Sequence, residues 1–415
     1  MIDLLCETFE IGGRVRECGL RAYARVENAG YPAQRAVKAA VLRAFIDEGI
    51  AESDLSGSSG YGYDDTARER FESLLARVFG AERALARLSI VSGTHAIVAS
   101  LAACVLPGER LIAVAGRPYD TLRNAIATAP GSLQSSGIVY EEVALRDGAL
   151  DYDAIRTAIA RPDAKAVFVQ RSRGYAPRPS LTIADCAALF GEVKRHAPHV
   201  LLLVDNCYGE LVEEREPTHV GADLVMGSLI KNLGGSLAPA GGYVAGKRDL
   251  VDRVATRLYA PGLGAALGPT LGFGRAFIQG LFMAPLVVEQ TLRGLDFAAA
   301  LFEELGFGVD PLPGARRTDI VQAIRLGTSE HLLKFARGLQ RAMPLNARFA
   351  PEPGPVPGYV DPVVMSSGAF VGGATIELSC DAPLRAPYEV YLQGGIVTEH
   401  AALGALMAAQ AVVGA

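Results

Sequence analysis

VLLLVDNCYGELVEEREPTHVGADLVMGSLIKNLGG, residues 200–235, decides how the rest of the chain is read. It holds two short apolar runs, each stopping at a polar group. Leu201–Val204 ends on Asp205; Leu224–Met226 ends on Gly227 and Ser228, with Lys231 three residues on. Runs of this length, rich in Val and Leu, are the pattern of strands buried on both faces of a parallel sheet. RLIAVAG and KAVFVQ upstream read the same way, and segments such as IADCAALFGEVKRH between them read as helices. Alternating strand and helix patterns predict a mostly parallel sheet covered by helices on both faces.

Outward from this centre the texture changes twice. Residues 1–53 read as a helical segment, with AVKAAVLRAFIDEGI at helical spacing. SGSSGYGYDD follows and ends at Asp65, placed to cap the amphipathic helix TARERFESLLARVFG. After the glycine-rich PGLGAALGPTLGFG comes a long helical pattern, RAFIQGLFMAPLVVEQTLRGLDFAAALFEEL. DIVQAIRL and ATIELSC then read as strands, SEHLLKFARGLQRAM and AALGALMAAQAVV as helices, and PEPGPVPGYVDP as a loop. The expected organisation is a helical segment (1–53), a large α/β domain (54–295) and a smaller α+β domain (296–415).

Composition narrows the class of function. The 415 residues carry 40 Lys and Arg against 45 Asp and Glu, a net charge of −5 without a basic block. Affinity for a nucleic-acid backbone is therefore not expected. The longest uncharged apolar run, Ala96–Leu106, is far shorter than the roughly 20 residues a membrane-spanning helix needs. The acidic start MIDLLCETFE has no secretory pattern, so a cytoplasmic protein is expected. Six dispersed cysteines and six unclustered histidines predict reduced thiols and no metal site.

Ligands of doubly wound sheets bind where strands hand over to loops, so reactive residues are sought at strand carboxyl ends. SGTHA places Gly93 and Thr94 at a helix start, where backbone N–H groups and the helix dipole favour an anion. Tyr119 follows the strand RLIAVAG and offers a ring for stacking. Asp205 is a carboxylate where water is scarce, costly unless paired with a cation. Lys231 lies among apolar residues and glycines, beside Ser228. Desolvation lowers a lysine's pKa and makes its amine nucleophilic, and the glycines leave room for a flat ligand. An anion site, a ring platform, an acid and a buried lysine are together what pyridoxal 5′-phosphate requires.

The order and spacing of these residues resemble fold-type I pyridoxal-phosphate enzymes of cysteine and methionine metabolism. Thr94 and Tyr119 are 25 residues apart, Asp205 and Lys231 26, and D-x-x-Y and S-x-x-K surround the last two. SGYGYDD, VFVQRSRGY, GSLIKNLGG, QGLFMAPLVV and TIELSCDAPLRAPY look like the methionine gamma-lyase-like family known as aluminium resistance proteins. The resemblance implies a fold-type I transferase fold with a smaller C-terminal α+β domain. It also implies roles: Lys231 as the Schiff-base lysine and general base, Asp205 on the ring nitrogen, and Tyr119 as ring partner and second acid–base group. Gly93, Thr94 and Ser228 would bind the phosphate. Tyr61 and Tyr63 would reach a neighbouring subunit's cofactor, in a homo-oligomer that is at least a dimer and by family analogy a tetramer with shared active sites.

Two positions depart from the better-known lyases of that group. Ile230 precedes the lysine where they carry a hydroxyl residue, and Glu377 occupies the position of their substrate-carboxylate arginine. Arg385 is the expected replacement, with Arg171 and Arg173 as further candidates. The expected activity is β- or γ-elimination from a small amino acid, carbon–sulfur cleavage foremost, with γ-replacement or transamination as the alternative. Direct cation binding is opposed by the scattered carboxylates.

Overall fold

In the computed structural model, which describes residues 1–414, strands and helices alternate through the centre of the chain. Seven strands form the larger sheet: β1 (Arg83–Arg87), β2 (Arg110–Ala113), β3 (Val139–Glu142), β4 (Ala164–Gln170), β5 (Leu201–Asp205), β6 (Leu224–Ser228) and β7 (Gly242–Gly246). Their spatial order is β1-β7-β6-β5-β4-β2-β3. Strands β3 to β6 and β2 run parallel, while β7 lies antiparallel to β6 and β1 antiparallel to β7. The sheet is buried on both sides. Leu202 and Val204 pack into one helical layer and Leu203 into the other, as the two-residue period of a strand requires.

The smaller sheet is wholly antiparallel. It contains β8 (Gly308–Asp310), β9 (Val321–Arg325), β10 (Val363–Ser367), β11 (Ser379–Pro383) and β12 (Glu389–Gln393), in the order β10-β11-β12-β9-β8. Helices Ser329–Gln340 and Thr398–Val413 pack against each other beside it. The helix Gly274–Glu304, 31 residues long, joins the two regions and also carries the N-terminal helices Gly13–Val26 and Pro32–Glu48.

Helix ends follow the local chemistry of the chain. Asp65 accepts the Arg68 N–H at 2.9 Å and caps Thr66–Phe79. Thr182 and Asp185 form a reciprocal capping box at the start of Ile183–His196.

Two expectations are corrected. ATIELSC is not one strand, because β11 begins only at Ser379. Glu377 instead accepts the Phe370 and Val371 N–H groups at 2.7 and 3.3 Å, folding the segment into turns that still bury Ile376 and Leu378. The glycines after Lys231 also serve a different purpose from the one expected. A Cβ on Gly235 would come within 2.4 Å of the Gly280 carbonyl oxygen, and one on Gly280 within 2.5 Å of the Gly234 oxygen. These glycines let the turn after the lysine press backbone to backbone on the long helix. They fix the lysine's loop and do not line a cavity.

Candidate active site

The carboxyl ends of β4, β5 and β6 open on one cavity of about 310 Å³. Its walls include Gly93, Thr94, Tyr119, Asp205, Ser228 and Lys231, so six of the expected residues converge although the chain separates them widely. Ser92 caps helix Gly93–Cys104 by accepting the His95 N–H at 3.1 Å. Gly93 and Thr94 are the first two residues of that helix, and N–H groups there have no intrahelical acceptor. A Cβ on Gly93 would stand 3.1 Å from Cys207 Sγ and 3.4 Å from Ser228 Cβ, so only glycine fits without movement in this cradle. The Tyr119 hydroxyl is hydrogen-bonded to Thr94 Oγ1 at 2.8 Å, and its N–H donates to Gln170 Oε1 at 2.9 Å.

Asp205 is 3% exposed and accepts the Cys207 N–H at 3.0 Å. Burial pushes its carboxyl pKa up, and Lys231 works in the opposite direction. The Lys231 Nζ lies 3.7 Å from the centroid of the Tyr208 ring, a cation–π contact. The lysine's pKa is raised, contrary to the sequence-based expectation. Burial alone would lower it, but Cys207, Tyr208, Asp205 and Tyr119 surround the amine with acidic groups and hold its proton. Burial was foreseeable from the apolar neighbours; the acids arrive from other strands.

A second cavity of about 420 Å³ adjoins the first and shares Tyr119, Tyr175 and Tyr359 with it. Arg385 and Arg173 line this outer space. Arg385 pairs with Asp120 at 3.4 Å and Asp361 at 3.7 Å, and its Nη2 donates to the Tyr175 carbonyl at 3.4 Å, all of them long contacts. Arg173 is buried and paired with Asp310. Arg171 must be withdrawn as a carboxylate ligand. It is 1% exposed, and its guanidinium bonds Leu181 O, Asn206 Oδ1, Gly209 O, Glu213 Oε1 and Thr318 Oγ1 at 2.8–3.2 Å. No donor remains for a substrate. Tyr61 and Tyr63 stand outside both cavities, 75% and 55% exposed, with their rings 6.0 Å apart.

The methionine gamma-lyase family model matches residues 24–413. The chain belongs to the methionine gamma-lyase family. Within reach of this family, it is 44% identical over 365 residues to YnbB of Bacillus subtilis, a protein of uncharacterised function, covering 87% of this chain and 86% of YnbB. A Clostridium acetobutylicum structure, of a protein proposed to be a cystathionine beta-lyase involved in aluminium resistance, superposes with TM-score 0.95 at 40% identity. That match covers 99% of this chain and 98% of the other. A Clostridium novyi carbon–sulfur lyase involved in aluminium resistance gives TM-score 0.94 at 37% identity, covering 99% of each chain.

Pyridoxal 5′-phosphate is the cofactor this family membership implies, and the donor set suits it. One cavity is lined by the start of helix Gly93–Cys104 and Ser228, which offer N–H and hydroxyl donors, by the Asp205 carboxyl, by the Lys231 amine and by the Tyr119 ring.

Several wall residues escaped sequence reasoning. Gln170 ends β4 and was open to the same strand-end argument that found Asp205. Tyr208 stands inside the D-x-x-Y motif and follows from it. Tyr175 closes the VFVQRSRGY motif, whereas Val356, Tyr359 and Gly373 come from loops with no such signal.

Proposed function

We propose that the protein is a pyridoxal-phosphate-dependent carbon–sulfur lyase that eliminates a thiol from the β or γ carbon of a small amino acid. The observation that carries this reading is the meeting of Lys231, Asp205, Tyr119, Ser228 and the Gly93 helix start around one cavity, in a chain of this family. When bound, the cofactor supplies an electron sink for the substrate's α-carbon. Lys231 would hold the cofactor through its amine and would serve as the general base for the α-proton. Asp205, buried away from water, would pair with the cofactor's ring nitrogen. Gly93, Thr94 and Ser228 would bind the phosphate, and Tyr119 would stack on the ring and assist proton transfer. Arg385 takes the substrate carboxylate, with Arg173 behind it.

Replacement and transamination are not favoured, since the family and the Clostridium novyi neighbour are described as lyases. Among the described residues no helix is long and apolar enough to cross a membrane. We place the enzyme in the cytoplasm as a homo-oligomer, at least a dimer and by family analogy a tetramer, with exposed Tyr61 and Tyr63 reaching the neighbouring site. The division at residues 53 and 295 belongs to the same reading: the first boundary precedes the loop with those tyrosines, and the second falls inside the connecting helix. The test is Lys231→Ala. The visible absorbance of the bound cofactor and the release of a 2-oxo acid from thioether amino acids should both vanish; retained elimination would refute the assignment.

A further inference from the structure

Asp381 is a buried carboxyl group for which the reaction above has no task. It stands in the middle of β11, 6% exposed, and among the described residues no Lys, Arg or His nitrogen comes within the 4.0 Å of an ion pair. Such a group is costly unless it is neutral or fully hydrogen-bonded. Gln393 Nε2 donates to its Oδ2 at 3.1 Å, and the Tyr175 ring lies beside it, stacked on Tyr391, which pairs with Asp381 across β11 and β12. The titratable groups facing it are Tyr175, Tyr208, Tyr359 and, beyond bonding distance, Lys231, with Cys380 beside it in the strand. Burial pushes the Asp381 carboxyl up, which favours the neutral acid.

Tyr175 is held as a working group would be. It follows Gly174, whose φ of +58° and lack of Cβ bring the loop against Gln170 Nε2 and Tyr119 Cβ; an added Cβ would lie 2.9 and 3.7 Å from them. Its ring stacks on Tyr391 at 5.3 Å and tilts against Tyr359 at 5.4 Å. The Tyr391 hydroxyl donates to the Tyr175 carbonyl at 3.0 Å. The ring thus forms part of the wall common to the two cavities. The Tyr119 hydroxyl already shares a hydrogen bond with Thr94 Oγ1 at 2.8 Å.

We propose that Tyr175 is a catalytic acid that protonates the departing group, with Asp381 as its positioning partner and proton reserve. This rests on the lyase reading. As the carbon–sulfur bond breaks, its electron pair stays on sulfur, and sulfur takes the Tyr175 phenolic proton. The Asp381 proton then moves to the phenolate oxygen, and the resulting carboxylate regains a proton from water before the next turnover.

The experiment compares leaving groups in the holoenzyme. Tyr175→Phe and Asp381→Asn are assayed with a cysteine thioether, whose thiolate needs a proton, and with β-chloroalanine, whose chloride needs none. Thioether cleavage should fall about 100-fold, the ordinary worth of a general acid. Chloride elimination and exchange of the α-proton in heavy water should stay within a few-fold of the parent, and Asp381→Glu should recover part of the loss. Thioether cleavage should also fall as pH rises through the pair's titration, with no such limb for chloride. Equal losses with both leaving groups would overturn the proposal. A separate readout needs no activity: infrared spectra of the cofactor-free protein should show a protonated carboxylic acid that Asp381→Asn removes. Its absence in the parent would also overturn the proposal, whereas failure of the parent to bind cofactor or exchange the α-proton would refute the lyase reading instead. If Asp381→Asn does not fold, Tyr175→Phe decides the question alone.

Discussion

Replacing Gly280 by alanine tests whether Lys231 is positioned by contact between its loop and the long helix. In an ordinary exposed helix the change would stabilise by up to about 1 kcal/mol, because glycine loses more backbone freedom on folding. At position 280 the new Cβ would lie 2.5 Å from the Gly234 carbonyl oxygen, whereas even a tight Cβ contact needs 3.0 Å and a relaxed one 3.4 Å. The backbones must separate by 0.5–0.9 Å, the difference between those distances. Strain of this kind costs about 1–3 kcal/mol, so a net loss of about 1 kcal/mol or more is expected. Lys231 is three residues from Gly234 and moves with the turn, and a misplacement near 1 Å can cost on the order of 100-fold in rate. Denaturant unfolding of Gly280→Ala, with cofactor titration and kcat on the same preparation, measures both effects. Gly191→Ala is the control: it lies in helix Ile183–His196 with nothing within 4 Å of its Cβ position, and should be neutral or stabilising. If Gly280→Ala matches this control in stability and retains full activity, the contact does not position the lysine and the reasoning fails.

Two further outcomes are expected. Arg171→Met should destabilise the protein by about 3–5 kcal/mol, because buried Glu213 loses its buried guanidinium partner; calorimetry checks this, and a rise in KM with unchanged stability would restore Arg171 as a ligand. Asp65 has its carboxyl pKa lowered from 3.8 to about 2, because donors from Ser58, Thr270 and Arg68 outweigh the opposing effect of burial. The stabilisation is full above pH 3.8 and is lost as pH falls through about 2, so Asp65→Asn should cost about 2 kcal/mol at neutral pH and progressively less as pH falls through that value.

Much of the site could be read from residue order. Asp205 and Lys231 were legible because each interrupts an apolar run, and in a parallel sheet the ends of such runs face the ligand side. Gly93 and Thr94 were legible because a glycine opening a helix has a known electrostatic use. The role of Tyr175 was not, because a tyrosine closing a motif announces no task until the chain brings it against Tyr359 and Tyr391, which are far away in sequence. Arg171 and Arg385 show the same limit. Both are arginines near family-like motifs, and only burial distinguishes the one locked by Glu213 from the one open to the outer cavity.

The sequence by itself determined the sheet of parallel strands, the helical layers and the cofactor chemistry. These depend on local periodicity and on residue types at strand ends, which a single chain displays without folding. The tertiary structure decided what depends on distance between remote segments. It showed that Lys231 is surrounded by acids that hold its proton, that the glycines after it grip a helix, and that Asp381 is buried without a cation. Electrostatic and packing energies depend on how closely groups approach, and that closeness is set by the fold.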